Sequence, residues 1–117
     1  MYERRKYLIN PNQKPPQFQG PQQFQELNVN ALLATGISLM NSSPQEAITF
    51  FDRVLAIYPN HMEALANKGL ALGNLGRYQE AIEYFDQAIA IIPDATETLN
   101  NKANALIELQ QNIEPAV

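Results

Sequence analysis

The chain has 117 residues, 45% of them hydrophobic, with no cysteine and a formal net charge of −4. That length fits one domain with a buried core, and the missing cysteines exclude disulfides and thiolate metal sites while agreeing with a reducing compartment, so the expected location is cytoplasmic. Arg4, Arg5, Lys6 and Lys14 against Glu3 and Glu26 give residues 1–30 a charge of +2, which leaves −6 on the other 87. An acidic body repels phosphate backbones, so nucleic acid is not the expected partner.

At the start, the apolar run Tyr7-Leu8-Ile9 before Pro11 is too short for the core of an export signal. No uninterrupted apolar run approaches the roughly 20 residues needed to cross a bilayer, and the Arg4-Arg5-Lys6 cluster alone gives only marginal attraction to an anionic membrane. Residues 11–25 read PNQKPPQFQGPQQFQ, where prolines remove backbone donors and no helical or alternating pattern is sustained. The expectation for residues 1–27 is an extended or disordered segment. No two of its prolines stand three apart, so it is not a ligand of the SH3 type. Phe18 and Phe24 are expected to dock somewhere, because exposed phenyl surface is unfavourable.

From about Asn28 onward, apolar residues recur at three- and four-residue spacing in stretches bounded by Pro44, Pro59-Asn60, Gly76 and Pro93-Asp94. This predicts five helices, at 28–40, 44–57, 61–75, 78–91 and 95–112, joined by short turns. The fold class is all-α.

A shift of 34 residues aligns the second half of the chain with itself. Glu63, Leu65, Asn67, Lys68, Ala71, Leu72 and Leu75 meet Glu97, Leu99, Asn101, Lys102, Ala105, Leu106 and Leu109, while Ala47-Ile48, Phe51, Asp52 and Pro59 meet Ala81-Ile82, Phe85, Asp86 and Pro93. Gly69 and Ala81 are small where two antiparallel helices approach closely, Tyr78, Phe85 and Ala88 fill the space around that crossing, and Gly76 permits the turn between them. Pro93 ends the second helix.

The stretch EALANKGLALGNLGRYQEAIEYFDQAIAIIPD, Glu63 to Asp94, closely resembles the tetratricopeptide repeat. The resemblance implies a right-handed α-solenoid of antiparallel helix pairs with an extended N-terminal tail: a degenerate repeat at 28–60, a well-formed one at 61–94 and a closing helix at 95–114, together the domain 28–117. The first repeat departs from the pattern in two ways. Val54 replaces the small residue found at Ala88, and Gly36 to Ala47 spans 11 residues where Gly69 to Ala81 spans 12. The lone last helix is expected to cap the stack with Asn100, Lys102, Gln110 and Gln111 outward. Two and a half repeats lie near the lower limit of stability, so either the N-terminal segment, through Tyr7, Leu8, Phe18 or Phe24, or a second copy of the chain is expected to supplement the core.

In such arrays the first helices of successive repeats line a concave groove. The resemblance places there Glu63, Asn67, Leu70 and Asn74, then Glu97, Asn101, Asn104 and Glu108, with Leu33, Ile37 and Met40 from the first repeat. Asparagine amides both donate and accept, so Asn67, Asn101 and Asn104 suit the backbone of an extended peptide. A subclass of the family clamps C-terminal carboxylates with lysine, arginine and asparagine. Here Asn67 fits that pattern, but Leu33, Ile37, Glu97 and Asn101 stand where it needs other groups. The groove instead suits a peptide with apolar anchors and a basic residue. The function implied is a non-catalytic interaction module, an adaptor or scaffold that takes an extended segment of a protein partner; the alternative is a subunit that associates with copies of itself through its exposed ends and tail.

Catalytic chemistry has no foothold. His61 is the only histidine, expected at a solvated turn with no second ligand or nucleophile, and Glu80, Glu83 and Asp86 read as a solvated acidic face rather than a metal site. Neither a phosphate-cradling loop nor a nucleophile elbow is present, so no cofactor is expected.

Overall fold

The computed structural model describes residues 21–113, with side chains from 28 to 111. Among the described residues there are five helices: α1 Pro21–Leu39, α2 Pro44–Ile57, α3 Met62–Asn74, α4 Tyr78–Ile91 and α5 Thr96–Ile113. Four agree with the periodicity to within about a residue at each end. The first begins seven residues earlier than expected, so Pro21–Leu27 is helical and not extended. A proline in the first helical turn loses no hydrogen bond, since those backbone donors have no partner within the helix, and the glutamines after it are good helix formers. Tyr7, Leu8 and Phe18 lie outside the described residues, as does the side chain of Phe24.

Each helix packs on its neighbours in sequence, and α3 also touches α5, so two antiparallel pairs and one single helix form a stack. A phenylalanine seated on a glycine closes each pair. A β-carbon on Gly36 would stand 2.5 Å from Phe51 Cε1, and one on Gly69 would stand 2.6 Å from Phe85 Cε1. The two glycines therefore correspond, and the first repeat is one residue shorter between its helices. Phe51 and Val54 are fully buried, as are Ala81 and Ala88, so the bulkier Val54 is accommodated within the core.

Turn chemistry sets the helix lengths. Gly76 adopts a φ of +80°, and around it the Arg77 amide donates to Leu72 O at 2.9 Å and the Gly76 amide to Gly73 O at 2.9 Å. This pair of bonds satisfies the last carbonyls of α3 in a left-handed glycine cap. At the other end of α3, His61 Nδ1 accepts from the Ala64 amide at 3.2 Å. His61 is thus a half-buried helix cap and not a solvated turn residue. Glu46, Glu63, Glu80 and Glu97 each occupy the first turn of α2 to α5, where the positive end of the helix dipole favours them.

Two ion pairs tie successive repeats at the same register: Lys68 Nζ to Asp52 Oδ1 and Lys102 Nζ to Asp86 Oδ1, both at 2.6 Å. On the flank of α4, Arg77 holds Glu80. Two of the three carboxylates on the acidic stretch of α4 are therefore engaged with cations.

The last helix departs from the expected polar cap. Asn100, Gln110 and Gln111 are exposed as foreseen, but so are Leu99 at 41%, Leu106 at 46% and Ile107 at 53%. The equivalents of Leu99 and Leu106 one period earlier, Leu65 and Leu72, are 2% and 1% exposed. In α3 that face receives α4, whereas no described helix covers it in α5.

Candidate functional site

The residues that the spacing of the first helices brings to one side converge on two adjoining hollows. One, of about 310 Å³, lies between α3 and α5 with the C-terminal half of α1 at its edge; Ile37, Glu63, Asn67, Glu97 and Asn101 line it. The other, of about 150 Å³, is lined by Asn74, Asn104 and Glu108, with Tyr78 and Phe85 reaching in from α4. Leu70 and Asn101 belong to both, so together they form one surface running along the first helices.

Of the three first-repeat residues assigned to the groove, Leu33 and Ile37 on α1 and Met40 just past its end, only Ile37 lines either hollow. Leu33 and Met40 are buried, at 8% and 7% exposure. Seven residues apart, they share one helical stripe with Gly36, and that stripe faces α2; Ile37 sits at its edge, turned toward α3. Met62, Ala66 and Thr98 complete the larger hollow without having been foreseen. Met62 and Thr98 were legible as neighbours of Glu63 and Glu97 at the helix starts, but nothing in their residue types marks a groove.

The asparagines are partly committed. Asn67 Nδ2 donates to Glu63 O of its own helix at 3.0 Å, which leaves the amide oxygen available to a ligand. Asn74 Nδ2 reaches Met40 O at 3.4 Å, bridging the two repeats. Lys68 and Lys102 point away from the groove into their ion pairs. Lys68 also donates to Tyr84 Oη at 3.0 Å. Desolvation is the largest single influence on its ammonium and lowers its pKa, but the hydrogen bonds to Asp52 and Tyr84 and their charges outweigh it, and the net shift is upward. Among the described residues, no lysine or arginine lines either hollow. The described residues therefore do not supply the cationic clamp for carboxylates.

Comparison with known proteins bears directly on this geometry. One model of the tetratricopeptide repeat matches residues 63–95 and a second matches residues 30–61. The chain belongs to the tetratricopeptide-repeat family. The second match covers the C-terminal part of α1 and all of α2. Among solved structures, the tetratricopeptide-repeat chain resembles one titled "MamA RS-1 ArsTM double mutant", with a TM-score of 0.66 and 27% identity. The likeness covers 72% of this chain and 48% of that one, so the chain spans about half the length of that relative. No curated protein matches. Tetratricopeptide repeats mark a protein–protein interaction module, and the family is generally non-catalytic. No helix among the described residues is long and apolar enough to cross a membrane, and among them no group of three acidic or histidine side chains is placed to hold a metal.

Proposed function

We propose that this tetratricopeptide-repeat chain binds an extended segment of a protein partner along the hollows between α1, α3 and α5, as a cytoplasmic adaptor or scaffold without catalytic activity. The observation that carries this reading is the convergence of Asn67, Leu70 and Asn101 on one continuous surface that mixes amide and apolar groups. Amides there bond a peptide backbone while the apolar floor receives its side chains. The test is the double variant N67A/N101A: partner proteins retained on the immobilised wild-type chain are lost by the variant, while helical content and Tm stay nearly unchanged. Undiminished capture would overturn the reading.

A second reading is favoured by the uncovered face of α5. Leu99, Ala103 and Leu106 recur at the four- and three-residue spacing of a helix seam, and a second copy of the chain covers them in an isologous pairing. Light scattering across the micromolar range tests it: a mass that stays monomeric throughout refutes self-association.

A further inference from the structure

The larger hollow is lined by two carboxylates as well as by apolar side chains. Glu63 and Glu97 stand one 34-residue period apart on α3 and α5, so they occupy the same register on neighbouring first helices, and both line the hollow. Both carboxylates therefore border one cavity, one from each helix, and a cation in that cavity is attracted by both.

Every described cation is occupied elsewhere. Lys68 and Lys102 hold Asp52 and Asp86, Arg77 holds Glu80, and the Arg53 guanidinium lies 5.2 Å from the centre of the Phe50 ring. Glu63 and Glu97 have no ion-pair partner among the described residues. Next to Glu97 on α5 stands Thr98, the only buried polar side chain among the described residues at 4% exposure, which also lines the hollow. No hydrogen bond ties its hydroxyl to another described residue. Ile37, Met62 and Leu70 supply apolar walls beside these polar groups.

We infer that the hollow selects a lysine or arginine flanked by apolar residues in the bound segment, with the cation held between Glu63 and Glu97 and its neighbours seated on Ile37, Met62 and Leu70. The inference rests on the reading of the groove as a peptide site and names the chemistry of the peptide. Glu63 and Glu97 also favour the starts of their own helices, as Glu46 and Glu80 do for α2 and α4. Only the first pair faces the hollow, and that difference is what the experiment reads.

The probe is a fluorescein-labelled heptapeptide, Gly-Ser-Leu-Xaa-Leu-Ser-Gly, with arginine, lysine, alanine or glutamate at the centre, titrated against the full chain by fluorescence anisotropy. Arginine and lysine peptides are expected to bind about tenfold more tightly than alanine, as two part-exposed charge contacts supply, and glutamate most weakly. The gap narrows as salt rises and closes in the double variant E63Q/E97Q, whose circular dichroism matches wild type. In the control E46Q/E80Q the preference persists. If the preference survives in E63Q/E97Q, the cation seat is overturned. If all four peptides bind alike and N67A/N101A weakens them all, the cation seat falls and the groove stands. If none binds, the cation seat falls as well, and capture by N67A/N101A decides the groove separately.

Discussion

The Lys68 ammonium lies 2.6 Å from the Asp52 carboxylate and joins α3 to α2 across the boundary between repeats. It also sits 4.3 Å from the centre of the Tyr84 ring, so one side chain links three helices. Its side chain is 14% exposed while that of Asp52 is half exposed, and water recovers part of what the pair provides. Replacement K68M is expected to cost about 1 kcal/mol, a fall in Tm of roughly 4–8 °C for a domain of this size. The same change at Lys102, which is 33% exposed, costs less. Parallel thermal melts of the two variants check the order.

The raised pKa of Lys68 fixes the sign of an alkaline effect. A group protonated more firmly in the folded chain contributes stability that is full below the unfolded lysine pKa, about 10.4, and is lost as pH rises through the higher folded value. Urea midpoints measured from about pH 8 to 11.5 should therefore converge for wild type and K68M at the alkaline end. Curves that stay parallel would show that Lys68 carries no such linkage.

Glycine-to-alanine changes should differ in sign with position. At Gly36 and Gly69 the added methyl meets a buried phenylalanine ring at 2.5 and 2.6 Å, so the core must shift at a cost of about 1–3 kcal/mol. Nothing lies within 4 Å of the same methyl at Gly73, and G73A gains about 0.5–1 kcal/mol from helix propensity. Calorimetric Tm values above wild type for G73A and below it for G69A would bear this out. Equal effects would refute the close seating of the rings.

Leucines one period apart test the open face of α5. Leu65→Ala empties a buried site and costs about 2–5 kcal/mol, whereas Leu99→Ala, at a position 41% exposed, changes the monomer by no more than about 0.5 kcal/mol. Denaturant titration at low protein concentration measures both. A large loss at Leu99 under those conditions would mean that something covers it.

The helices and the repeat were legible because residues such as Gly69, Phe85 and Pro93 act through local geometry that the sequence spells out at a fixed period. That Glu63, Asn67, Glu97 and Asn101 share one hollow was legible for the same reason, since they recur at one register. Leu33 and Met40 were misplaced because a leucine or methionine suits a groove wall and a core equally, and only the orientation of α1 against α2 decides between them. His61 was taken for a solvated residue because its role depends on one backbone donor, that of Ala64, which residue type does not reveal. The start of α1 was hidden by Pro21, a residue that breaks helices everywhere except in their first turn.

The two walls of the groove do not yield equally to opening motions. Repeat stacks hold each helix through its neighbours, and α3 has α2, α4 and α5 against it while α5 has α4 and only the edge of α3. Amide protons of α5 therefore exchange with solvent sooner than those of α3. A ligand that bridges Glu63 and Glu97 must still the softer wall against the firmer one, and the slowing of exchange in α5 would report its arrival.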